Sequence, residues 1–179
     1  MVTIKIIHEG TVSAWLKVGI HMLRKAKDDE YEHMVSIWLA ASILAHDGVA
    51  PDFWRSQRQD MKEKYLPSAE NWVYVRDDTV LGFFSLQQNV LAALFVDPDH
   101  QGEGIGSTLL EHAKSLEARL ELSVYSMNSR AVAFYERHGF ITMDERFDDM
   151  TGQWEKVMHL TAEMESRPGA GDRDGSSLG

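Results

Sequence analysis

At 179 residues the chain has the length of one ordinary domain, and a hydrophobic fraction of 44% is enough to close a core, which excludes global disorder. It contains no cysteine, so disulfides, a thiol nucleophile and cysteine-ligated zinc are excluded and a reducing cytoplasm is the expected location. A formal net charge of −10 disfavours nucleic-acid binding by bulk electrostatics and favours cationic partners such as lysine-rich peptides or polyamines, although the same charge also serves solubility.

No membrane span is expected. The apolar stretch Val35–Ala45 is interrupted by serines and falls well short of the ~20 residues that a spanning helix needs. The N-terminus shows no basic region followed by an apolar core, so no export signal is expected either. Residues 1–20 read in two ways: Ile4, Ile6 and the alternation Trp15–Val18 suit an extra strand, or the segment is an extension ahead of a functional start at Met22.

The domain, expected over 21–162, opens with a short strand at His21–Arg24. Asp28 or Asp29 can cap the following helix, with Glu30 and Glu32 in its favourable first turn. Met34, Val35, Ile37, Trp38, Ala41 and Leu44 recur at helical spacing, and Gly48 and Pro51 stop the run. A second helix is expected from Asp52 or Phe53 to Tyr65, ending before Pro67. Three strands follow at Trp72–Arg76, Leu81–Gln87 and Val90–Val96, with turns at Asp77-Asp78 and Gln88-Asn89; short turns make this an antiparallel meander. After Pro98 come a glycine loop and a helix with Ile105, Leu109, Leu110, Ala113 and Leu116 inward. Leu120–Val124 reads as a strand, Ser129–His138 as a helix, Gly139-Phe140 as the opening of a strand, and Trp154–Leu160 as the last strand. From 163 the Gly, Ser, Asp and Arg content predicts a disordered tail. The class is α+β with a mixed sheet.

The loop Gln101-Gly102-Glu103-Gly104-Ile105-Gly106-Ser107 sits between a strand and a helix. The first backbone N–H groups of a helix have no partner and its dipole is positive there, so a phosphate or pyrophosphate can bind. Three glycines keep side chains out of that approach. A Walker loop would need a lysine before Ser107, and a dinucleotide fingerprint needs G-x-G-x-x-G where this chain has G-x-G-x-G. The loop alone is also compatible with a tight turn that caps a helix.

Downstream lies Asn128-Ser129-Arg130-Ala131-Val132-Ala133-Phe134-Tyr135-Glu136-Arg137-His138-Gly139-Phe140. Together with Gln101-x-x-Gly104-x-Gly106 it resembles the GCN5-related N-acetyltransferase (GNAT) superfamily, over roughly residues 21–160. The first motif is similar to that family's pyrophosphate loop and the second to its Asn…Ala…Phe-Tyr…Gly-Phe signature. The segments around Asn71-Trp72-Val73, Leu81-Gly82-Phe83 and Ala92–Val96 look most like small bacterial members, some of which acetylate protein lysines. The resemblance implies a mixed sheet with an antiparallel N-terminal meander and a parallel pair at its centre, about four flanking helices, and three α/β/α layers.

It also implies acetyl-CoA as co-substrate and a role for each matching residue. The backbone of Leu94, Phe95 and Val96 would pair with the pantetheine arm, the amides of Gly102, Glu103, Gly104, Ile105, Gly106 and Ser107 would hold the pyrophosphate, and Gln101 would join the same cofactor site. Asn128 would hydrogen-bond the pantetheine region, or serve as a helix N-cap, or both. Tyr135 would lie beside the thioester sulfur. Direct transfer from acetyl-CoA to a primary amine needs a neutral nitrogen, whereas a lysine amine has a pKa of about 10.4; a phenol, with pKa about 10, can protonate the departing thiolate. No metal is required. Glu103 departs from the family pattern, in which a basic or neutral residue is common, and should repel the phosphates unless it points outward.

The base has no motif. His46, Asp47 and Asp52 are candidates, as is a water chain ending on a strand carbonyl. Phe53 and Trp54 are expected to wall the acceptor site, or to pack as ordinary helix residues. The eight histidines show no metal-type clustering. Protein lysine is the favoured acceptor over a small amine, with a monomer or homodimer, no nucleic acid and no membrane. The competing reading is a non-catalytic acyl-CoA-binding or regulatory module, which would need neither Tyr135 nor an amine channel.

Overall fold

The computed structural model describes residues 21–160; residues 1–20, the last two positions of the expected domain and the segment from 163 lie outside the described residues. β1 (His21–Lys25) leads through a 3-10 turn at Asp28–Glu30 into α1 (Tyr31–Ala45). Neither expected aspartate caps α1. Glu30 instead folds back, accepting the Lys27 amide at 2.8 Å and gripping the Arg24 guanidinium through bonds of 2.8 and 2.6 Å. A two-pronged charged bond is stronger than a carboxylate-to-amide cap, so it decides how the chain enters the helix.

The second helix is not continuous. It comes as α2 (Pro51–Ser56), α3 (Arg58–Asp60), a π-helical turn at Met61–Tyr65 and a 3-10 turn at Leu66–Ser68 that contains Pro67. Trp54, Met61 and Leu66 are all buried in one core. On a regular α-helix Met61 and Leu66 would point roughly 140° apart, and the wider turn brings both inward.

β2 (Glu70–Arg76), β3 (Thr79–Gln87) and β4 (Val90–Val96) form the expected antiparallel meander. Asp77 and Asp78 take φ of 49° and 61°, as the two central residues of a tight hairpin turn must. In the β3–β4 register Ser85 faces Ala93 while Leu86 faces Leu91, so Ala92 is an extra residue, a bulge. The bulge reverses the alternation: Leu91 packs in one core, while Ala93 and Phe95, at the same parity, pack in the other. It also bends the strand. β4 pairs in parallel with β5 (Glu121–Tyr125) at Val90–Glu121 alone, and past that point the two strands part.

α4 (Ile105–Leu116), α5 (Ser129–Arg137), β6 (Phe140–Asp148) and β7 (Gln153–Leu160) complete the described residues. The seven strands are ordered β1-β2-β3-β4-β5-β7-β6. One core joins α4 and α5 to the sheet through Leu109, Leu110, Phe84, Leu122 and Met158; the other joins α1 and the α2–α3 region through Met34, Val35, Trp54 and Phe83. This is the α/β/α layering with a parallel pair at its centre. Leu116, expected inward, is 40% exposed because α4 ends there beyond the edge of the core.

Candidate active site

The loop before α4 is shaped by its glycines. Gly102 and Gly104 adopt φ of 86° and 84°, a left-handed conformation that an L side chain adopts only with strain. Gly104 is the N-cap of α4 and offers no side-chain acceptor, so the first amides of the helix face the cavity with no cap of their own. Gly106 has an ordinary backbone; a β-carbon there would meet Phe134 and Val96 at 3.7 Å.

This helix start opens onto a cavity of about 590 Å³ that is lined also by Leu94–Val96 of β4, Asn128 and Tyr135, so these residues and the glycine loop surround one space. Gln101 ties its rim together: its amide donates to the Val96 carbonyl at 3.3 Å and its oxygen accepts from Arg130 at 3.2 Å. Asn128 caps α5, its Oδ1 accepting the Ala131 amide at 3.0 Å, while its side-chain NH₂ is left for a further partner.

Tyr135 packs edge-on against Phe134 and Phe140 and is 9% exposed, yet it reaches the cavity. Burial pushes its phenol above the ordinary tyrosine value, so it is protonated at neutral pH. His46 lies on the cavity wall at the end of α1, packed between the rings of Trp54 and Tyr125. Its Nδ1–H donates to the Ser42 carbonyl at 2.8 Å.

Several expected positions sit elsewhere. Glu103 turns away from the phosphate approach to bond Arg76 at 2.7 Å and His100 at 3.1 Å, and those partners hold its carboxyl below the usual range. Its carboxylate is therefore partnered within the protein. The Ile105 side chain is core, leaving only its amide for a ligand. Trp54 and Phe53 do not line the cavity: Trp54 is buried against Trp38, His46 and Tyr125, and Phe53 packs on Trp54. Asp47 and Asp52 do not line it either, and Asp52 pairs with Arg55 at 2.7 Å. Among the described residues no helix is long and apolar enough to cross a membrane, and no three His, Asp or Glu side chains gather as a metal would need.

Residues 67–142 match the family profile described as an acetyltransferase (GNAT) domain. The peptidyl-lysine N-acetyltransferase YjaB of Escherichia coli is 35% identical over 130 residues, which cover 72% of this chain and 88% of that relative. YiaC of the same organism, another peptidyl-lysine N-acetyltransferase, is 33% identical over 131 residues, covering 73% and 90%. The chain belongs to the GNAT acetyltransferase family. The solution structure of apo YjaB from Escherichia coli superposes with a TM-score of 0.72 at 29% identity, covering 80% of this chain and 99% of that one.

As a GNAT protein it is an acetyl-CoA-dependent N-acetyltransferase. The residues present fit that co-substrate: uncapped amides for phosphate oxygens, the open edge of β4 for an amide-bearing arm, and cations at the rim. Those cations are what sequence reasoning missed. Arg130 and Arg137 line the same cavity from α5. The signal was present, since residues seven apart share a helix face.

Proposed function

We propose that this GNAT enzyme acetylates lysine side chains of protein acceptors in the cytoplasm. The observation that carries the transfer chemistry is the joint placement of the uncapped α4 start and the buried, protonated Tyr135 on one cavity. A single extended ligand can thus put phosphates at one end and a thioester at the other. The names of YjaB and YiaC and the net charge of −10 favour a lysine-bearing peptide as acceptor.

Acetyl-CoA supplies an activated acyl group on a thiol leaving group. In this reading the amides of Gly102–Ser107 hold its pyrophosphate, Arg130 and Arg137 balance its phosphate charge, and the unpaired edge of Leu94–Val96 takes its pantetheine amides. Asn128 adds an N–H from its free NH₂. Tyr135 donates its proton to the departing sulfur. The burial that raises the phenol also raises the basicity of a thiolate in the same pocket, so the two stay matched.

The test is acetyl-CoA-dependent CoA release over a panel of lysine peptides, polyamines and other small amines. Turnover on peptides with kcat/KM above that for the small amines is expected. Turnover confined to small amines would overturn the lysine assignment, and tight acetyl-CoA binding without turnover on any acceptor would overturn catalysis.

A further inference from the structure

We infer that His46 is the general base, taking the acceptor nitrogen's proton on Nε2; the inference rests on the acetyltransfer reading of the same cavity. Four observations carry it. Of the three side chains that the sequence offers as bases, His46 alone lines the cavity that holds Tyr135. Its Nδ1–H is committed to the Ser42 carbonyl at 2.8 Å, and a carbonyl can only accept. That fixes the tautomer with the lone pair on Nε2. The imidazole is clamped by Trp54, 5.2 Å away and tilted, and by Tyr125, edge-on at 5.0 Å, so its orientation is set before a substrate arrives. Finally, the residue ends α1 in an irregular conformation and its carbonyl accepts the Val49 amide at 3.0 Å, which anchors the backbone as well.

The electrostatics suit a base that must be empty at neutral pH. Burial depresses the His46 pKa, and the bond to Ser42 opposes it only in part. The groups that titrate around it are Tyr125 on β5, pushed up to about 12 by burial and tied to Asp148 at 3.0 Å, Glu155 opposite Tyr125 on β7, Asp47 beside it in the chain, Asp52 at the head of α2, and Tyr135 across the cavity. None of them sets its value; desolvation does.

The step balances as follows. The amine enters neutral, favoured by the apolar wall of Ala41, Leu44 and Ala45 that flanks His46. The N–C bond forms as the C–S bond breaks. Nitrogen becomes acidic as it bonds and gives one proton to His46; Tyr135 gives one to sulfur. His46 then loses its proton to solvent and Tyr135 regains one, with no net change.

The test uses His46→Gln, with Tyr135→Phe as a reference. Wild-type log kcat/KM should rise with pH at a slope of one from protonation of the lysine substrate alone, steepening towards two only at pH below the ordinary histidine range, where His46, its pKa lowered by burial, also binds a proton. His46→Gln should keep its acetyl-CoA Kd, lose about 10²-fold or more in kcat, and show a slope of one throughout. An unchanged steep limb, or kcat within about twofold of wild type while Tyr135→Phe is impaired, would overturn His46 as base and leave the transferase intact. A wild type that turns over no amine would overturn the transferase reading, and the base with it.

Discussion

Tyr135 loses nothing in shape when its hydroxyl is removed, because its ring contacts with Phe134 and Phe140 remain. Tyr135→Phe should therefore keep the acetyl-CoA Kd within about twofold and lower kcat by about 10²- to 10⁴-fold, read by calorimetry and by CoA release. A second residue-scale prediction concerns Glu103. Its charge is held by Arg76 and His100, so Glu103→Gln alone should shift acetyl-CoA affinity little. Arg76→Ala would leave the carboxylate beside the α4 start unbalanced and should weaken acetyl-CoA binding by roughly two- to fivefold. The double variant Arg76→Ala/Glu103→Gln should recover most of that loss. An additive result in the double-mutant cycle would show that the pair does not act as a unit.

At the scale of elements, the glycines of the loop are not equivalent. Gly104→Ala forces an alanine into left-handed backbone at the N-cap and should cost roughly 1–2 kcal/mol, lowering the thermal midpoint. Gly106→Ala has room at 3.7 Å and should leave the midpoint within a degree or two, roughly half a kcal/mol or less. The same distinction explains what could be read in advance. The glycine loop, the Asp77-Asp78 turn and the strand–helix order were legible because the residues that bend the backbone are local to the bend. The broken helix after Pro51 was not, since its π turn answers to a core shared by Trp54, Met61 and Leu66. The bulge at Ala92 was hidden for another reason: Val90–Val96 is apolar throughout, so no alternation existed whose reversal could show. Tyr135 and Asn128 were visible through their motif, whereas Arg130 and Arg137 were passed over although they share a helix face. Of the two readings open for Trp54, wall of an acceptor site or ordinary helix packing, its burial behind His46 fits the second.

At the scale of the molecule, the acidic surface should make acceptor capture sensitive to salt, with KM for a lysine-rich peptide rising with ionic strength while that for acetyl-CoA is affected less. The parting of β4 from β5 has a different consequence. Past Val90 and Glu121 the sheet lacks the rungs that would normally join two central strands, so the facing edges of β4 and β5 are not paired with each other there. A bound acetyl-CoA that bonds to Leu94–Val96 would act as a short stand-in strand, and its binding energy would count toward the stability of the sheet itself. Amide exchange at Leu94–Val96 and at Val124-Tyr125 should slow on adding acetyl-CoA well beyond the slowing at β1–β2, and slow less with a ligand cut off before the pantetheine. Uniform protection, equal at both ends of the sheet, would argue against it. In these terms the native fold is an unfinished fabric: Ala92 drops a stitch at the centre, and acetyl-CoA would supply the missing thread.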